Sequence, residues 1–173
     1  AGLLAEDERA ALNARAGEIT ARYGTGVYAV TVEDYNDYGN GTVLDAAKEI
    51  YHGGELGIGD RRNGVLLLLS LRERDWALFA FGNKAERAVN ADGRDHLAEA
   101  FLDDFASDDW EAGLRAYVED CGALLELAAS GKPLRRVPVG KIIISALVAC
   151  AVALTVCLIL KGRMKSVRAQ RSA

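Results

Sequence analysis

The chain has 173 residues and a formal net charge of −4, but that charge is unevenly placed. Residues 1–131 hold all 25 Asp and Glu against 12 Lys and Arg, a net −13, while residues 132–173 hold nine Lys and Arg and no acid. The acidic balance of the first part excludes a nucleic-acid binder, which needs basic surface for phosphates. The three cysteines (Cys121, Cys150 and Cys157) do not make a disulfide framework.

In chain order, Leu12, Ala16, Ile19 and Tyr23 recur at helical spacing and predict an amphipathic helix over Ala5–Tyr23, broken by Gly24 and Gly26. Val27–Val32 reads as a buried strand, and Asp34–Gly41 as a loop. Val43, Leu44, Ala47, Ile50 and Tyr51 mark a second helix, closed by Gly53 and Gly54. Val65–Leu69 is an apolar run suited to a strand covered on both faces, and Trp76–Phe81 alternates as a third strand across the polar turn Arg72–Asp75. Leu97, Phe101 and Phe105 stripe one further helix. Trp110, Leu114, Tyr117, Cys121, Leu124 and Ala128 stripe a last one, capped by Ser107, Asp108 and Asp109. The order α, β, α, β, β, α, α predicts a small three-layer α/β/α sandwich on a mixed sheet of three or four strands, with the third strand joined by a hairpin.

Beyond this domain (1–131) come a basic linker (132–141), a transmembrane helix (142–160) and a basic cytoplasmic tail (161–173). The helix is read from IIISALVACAVALTVCLIL, 19 residues without a charge. At 1.5 Å per residue such a run reaches about 28 Å, close to the roughly 30 Å hydrocarbon core. Membrane lipid is therefore the first expected partner, with the flanking Lys and Arg suited to anionic headgroups. Five basic residues follow the run and four precede it, so flanking charge scarcely orients it. A chain that opens on Ala1, and a short tail set against a full domain, give the expectation of an extracytoplasmic domain at the cell membrane.

Several stretches carry a resemblance. AGLLAEDERAALNARAGEI at the start, YAVTVEDY at 28–35, GIGDRRNGVLLLLS at 57–70 and SDDWEAGLRAYVEDC at 107–121 are similar, in order and spacing, to the TPM domain family. The similarity covers about 1–129. In AFGNKAERAVNADGRD only Gly82 remains of a Gly-rich turn, and Arg61-Arg62 stand where an acid often precedes Asn-Gly. The resemblance implies an exported α/β domain tethered by a C-terminal helix, a binding or accessory module in the maintenance or assembly of membrane protein complexes, with another membrane protein as partner. It also makes divalent-ion binding and phosphatase activity expectations for this chain. A purely structural interaction domain is the third reading.

Asp60 and Asn63, ahead of the second strand, offer oxygens of the kind Ca²⁺ takes, although Asn63-Gly64 equally suits a turn and Arg61 and Arg62 repel a cation. Glu33, Asp34 and Asp37 follow the first strand, and Arg72, Glu73 and Asp75 follow the second. If those strands are parallel neighbours, both groups meet at one carboxyl edge, where open α/β sheets hold ligands. Asp34, Asp60, Asn63 and Asp75 are thus the candidate metal ligands, competing with a solvated rim. Asp103, Asp104, Asp108 and Asp109 are better explained by helix ending and capping. His52 and His96 lack zinc spacing, Ser70 lacks a nucleophile-elbow context, and Cys121 lies on an apolar stripe.

Overall fold

The structure is a computed structural model and describes residues 2–39 and 41–136. Helices α1 (Glu6–Tyr23), α2 (Val43–Gly53), α3 (Asn83–Ala88), α4 (Ala91–Ala106) and α5 (Trp110–Ala129) surround strands β1 (Gly26–Val32), β2 (Gly64–Ser70) and β3 (Asp75–Phe81). The strand order is β1-β2-β3, so the sheet has three strands. β1 runs parallel to β2, from Gly26 opposite Gly64 to Val32 opposite Ser70. β3 runs antiparallel, from Ser70 opposite Asp75 to Gly64 opposite Phe81. The sheet is mixed, as the strand order and hairpin predicted.

Alternation along the strands divides the apolar residues between two faces. Val27, Val65, Leu67, Leu69, Leu78 and Ala80 pack with α1, α3, α4 and α5 around Phe101, Tyr117 and Leu124. Tyr28, Val30, Leu66, Leu68, Phe79 and Phe81 pack on the other face against Ala46, Ala47 and Tyr51 of α2. β2 lies between the two layers and is buried at every position from Gly64 to Ser70. An unbroken Val/Leu run is the composition such a doubly covered strand requires. Tyr117 crosses from α5 to the sheet, where its hydroxyl lies 3.0 Å from the Tyr28 carbonyl oxygen and 3.2 Å from that of Val65.

Local chemistry sets the helix ends. Glu8 returns to the Ala5 N–H at 2.9 Å. In α2 the Thr42 hydroxyl accepts from the Asp45 N–H, while the Asp45 carboxylate accepts from the Thr42 N–H at 3.1 Å. The Lys48 ammonium, then the Thr42 hydroxyl and N–H, all donating to the Asp45 carboxylate, lower its pKa to about 2. Asn90 caps α4 through the Gly93 N–H and Asp109 caps α5 through the Ala112 N–H. Asp109 thus does what its place in the sequence foretold.

Three elements differ from expectation. The loop after β1 contains a 3-10 turn over Tyr35–Tyr38, started by Asp34, whose carboxylate accepts from the Asn36 N–H. The segment after β3 contains α3, too short for a helical period to register. α3 buries only the methyl groups of Ala85 and Ala88. β3 begins at Asp75, so the hairpin loop is Leu71–Arg74, with Arg74 at φ 50°. Among the described residues no helix is long and apolar enough to cross a membrane. The predicted anchor at 142–160, the tail, and positions 137–141 of the linker lie outside the described residues.

Central burial makes a quantitative expectation. Leu67→Ala, in the middle of β2, should lower the unfolding free energy by about 2–5 kcal/mol in a denaturant titration. Leu127→Ala, at a site on α5 that is 39% exposed, should change it by no more than about 0.5 kcal/mol.

Candidate functional site

The parallel pairing of β1 with β2 brings the two predicted loop groups to one end of the sheet. Chain continuation past the strands keeps them together: the Leu71 N–H donates to the Val32 carbonyl at 3.0 Å and the Arg72 N–H to that of Glu33 at 2.9 Å. At this end Asp34 is engaged on both oxygens. One accepts from the Asn36 backbone N–H and carboxamide, each at 2.8 Å. The other pairs with the Arg72 guanidinium at 2.6 Å. Ser70 lies alongside. Its hydroxyl accepts from the Tyr35 N–H at 3.0 Å and donates to Glu73 at 2.7 Å. Asp75 accepts from the N–H of Trp76, its chain neighbour.

This end therefore joins residues 34–36 to residues 70–73 through an ion pair and a relayed hydrogen bond. The Asn36 bonds, and after them the Arg72 charge, hold the Asp34 carboxyl below its ordinary range, outweighing its partial burial. Such an arrangement stabilises a negative charge and braces two loops. It spends the carboxylate lone pairs that a cation or a proton in transit would use.

Asp60 and Asn63 lie at the opposite end of β2, so the four candidate ligands fall into two separate places. Asn63 accepts from the Lys84 N–H at 2.9 Å through its side chain and exchanges backbone hydrogen bonds with Ile58. That is the turn reading of Asn63-Gly64, extended to hold the start of α3. Arg62 also has a definite task here. Its guanidinium donates to the carbonyls of Leu56 at 2.9 Å and Tyr51 at 3.0 Å, at the C-terminal end of α2, where a helix favours a cation. The Tyr51 hydroxyl donates back to the Arg62 carbonyl at 2.8 Å, and burial raises the Tyr51 pKa to about 12. Gly57 makes this crossing possible: its φ is 106°, and a Cβ there would stand 2.5 Å from the Arg62 carbonyl oxygen.

The remaining chemistry-bearing side chains are held elsewhere. His52 packs edge-on against Phe79 and Phe81, and His96 faces Asp120 at 3.4 Å. Cys121 is buried, and burial pushes its thiol pKa up, consistent with a core residue. Among the described residues no three His, Cys, Asp or Glu side chains come close enough to share a metal ion. Arg74, read from sequence only as part of a turn, ties the hairpin to the junction of α4 and α5 through the Phe105 carbonyl at 3.2 Å and Asp108 at 3.0 Å. Beside that tie lies a hollow of about 230 Å³ walled by Trp76, Phe105 and Trp110. The positive φ of Arg74 has no local sequence signal, so this tie was not legible in advance.

The Asp34 arrangement predicts a pH dependence of definite sign. A carboxyl whose folded pKa is depressed contributes stability above its unfolded pKa and loses it as pH falls through the folded value. The stability difference between the native chain and Asp34→Asn should hold steady above about pH 5 and shrink as pH falls below about 4. In Arg72→Met the Asn36 bonds remain, so an NMR titration should still place the Asp34 carboxyl below its usual range.

Comparison with known proteins agrees with this geometry. No curated protein matches the chain. The BA42 protein of Bizionia argentinensis matches with a TM-score of 0.59 at 19% identity, covering 77% of this chain and 86% of its own. The N-terminal domain of a P. gingivalis protein matches at 0.61 and 18% identity, covering 79% and 84%. The N-terminal domain of the cg2496 protein of Corynebacterium glutamicum matches at 0.54 and 12% identity, covering 77% and 81%. At these identities the likeness is one of fold. The sequence itself matches the TPM domain family over residues 1–124, from α1 into α5, and this chain belongs to that family.

Proposed function

We propose that this chain is a membrane-tethered TPM domain, held at the cell membrane with the folded domain on the extracytoplasmic side. It acts there as a binding or accessory module in the maintenance or assembly of membrane protein complexes. The observation that carries the tether is the uncharged run Ile142–Leu160, 19 residues flanked on both sides by Lys and Arg. Favouring a module over an enzyme is the state of the carboxyl end, where Asp34 is committed to Asn36 and Arg72 and Ser70 to Tyr35 and Glu73. Those bonds brace the two loops into one polar rim suited to presenting a surface.

A second reading, a divalent-metal-dependent phosphatase, draws on one observation: Asp34, Glu73 and Asp75 do belong to the same carboxyl edge of the sheet. A cation such as Ca²⁺ held there would have to displace Arg72 from Asp34. Calcium would then raise the melting temperature at millimolar concentration. The module reading predicts no such rise.

The two readings and the tether separate in one set of preparations. The full chain should stay in the membrane pellet through an alkaline carbonate wash, and a chain ending at Arg136 should be released. Protease added to intact cells should cut the tethered chain within 132–138. A full chain that washes free would contradict the tether, and protection of the linker would contradict the orientation. Phosphomonoester hydrolysis that is lost in both Asp34→Asn and Asp75→Asn would replace the module reading with the phosphatase.

A further inference from the structure

The end of the sheet opposite the carboxyl edge holds a cavity of about 450 Å³ between the end of α1, the start of β1, α3 and the last turns of α5. Its polar lining is Arg22, Thr25, Asn83, Lys84 and Arg87, three cations with no carboxylate among them. In a domain with a net charge of −13 this is a marked local reversal. We propose that this cavity binds a phosphate-class oxyanion.

Two independent features support an anion here. The first is the three cations, Arg22 at the end of α1 and Lys84 and Arg87 on α3, which line the one cavity. Lys84 gives one of its three N–H donors to the Tyr23 carbonyl, at 3.0 Å, and keeps two. The Arg22 guanidinium lies over the Tyr23 ring, 5.5 Å from its centre. Arg87 is exposed and has no ion-pair partner among the described residues. The second is Thr25. It lines the same cavity and is fully buried, yet its hydroxyl makes no hydrogen bond to any described residue. A buried hydroxyl without a partner is costly, and natural proteins rarely keep one without a use.

A tetrahedral oxyanion answers the first feature, because Arg presents a planar fork of donors. It answers the second once the wall closed over the Thr25 hydroxyl gives way, since the free chain leaves that atom almost no accessible surface. Arg22 also borders a neighbouring cavity lined by Glu18, Glu119 and Glu126. Arg15 pairs with the first two, at 3.0 Å from Glu18 and 2.7 Å from Glu119, and so offsets one of the three negative charges. The carboxylates on that side compete with an anion for Arg22, whereas Lys84 and Arg87 do not line that neighbouring cavity. Leu125 and Ala128 form an apolar wall, which suits a phosphate ester carrying an apolar substituent. The phosphate has two possible sources, a soluble anion or a lipid headgroup. α5 ends at Ala129 beside the cavity and leads into Lys132 and Arg135, so the headgroup source rests on the membrane-tether reading. The soluble-anion source does not.

Calorimetric titration of the full chain in zwitterionic detergent micelles tests the site, with inorganic phosphate in one arm. Dihexanoyl phosphatidylglycerol forms a second arm, with dihexanoyl phosphatidylcholine as its control. The expected result is saturable phosphate binding, weakened about tenfold by Arg87→Ala and by Thr25→Val, as for loss of one hydrogen bond to a charged group. Thr25→Val should at the same time raise the melting temperature of the free chain, because it removes the unpartnered hydroxyl. A merely structural threonine would not weaken binding while its replacement stabilised the fold. Tighter binding of the phosphatidylglycerol than of phosphate, with none to the phosphatidylcholine, identifies a headgroup site. The reverse order identifies a soluble anion. Heats that do not saturate in either arm, or an affinity that either substitution leaves unchanged, would overturn the proposal.

Discussion

Burial of β2 on both faces is the constraint from which the rest of this domain follows. A strand with helices above and below has no solvent side, so each of its side chains must be apolar or small, and a shift of one residue would exchange the two cores. Val65, Leu67 and Leu69 meet the four-helix layer, while Leu66 and Leu68 meet α2. Register is fixed by that division. With it the two ends of the sheet become fixed platforms, because Ser70 must stand beside Val32 and Gly64 beside Gly26. Tyr117, with its hydroxyl against the carbonyls of Tyr28 and Val65, locks α5 onto the same register.

The two platforms have opposite electrostatic characters. At the carboxyl end, Asp34 of the β1 loop meets Arg72 from the hairpin, and that pair of charges is satisfied within the protein while the end as a whole stays acidic. At the other end, the turn through Asn63 holds the start of α3 and so carries Lys84 and Arg87 towards Arg22 at the end of α1. The Arg72 cation is spent on Asp34, whereas Arg22, Lys84 and Arg87 line a cavity that has no carboxylate in its own wall. This contrast is the physical basis for reading the first end as a brace and the second as the proposed anion site.

Legibility in the sequence followed the range of the interactions. The Val65–Leu69 run, the stripe from Trp110 to Ala128 and the Asp109 cap are local patterns, and each appears in the structure where the sequence placed it. The carboxyl edge was legible too, because a parallel β1–β2 pair brings residues 33–37 and 70–75 together by topology alone. What could not be read was how those groups would partner one another. Arg72 lies 38 positions from Asp34 and bears no spacing that marks it as its partner. α3 escaped notice because a helix of six residues with two buried alanines shows no period. Thr25 and Arg87 were invisible for a stronger reason: neither belongs to a motif, and only the fold sets an unpartnered hydroxyl beside three cations.

Native-state hydrogen exchange in sub-denaturing guanidinium addresses the central strand most directly. If β2 holds both layers and both ends, the amides of Val65–Leu69 should be the slowest in the domain. Their opening free energy should equal that of global unfolding at every denaturant concentration. Exchange of those amides through a local opening, faster than the amides of α5 and insensitive to denaturant, would contradict the claim that the doubly buried strand organises the fold.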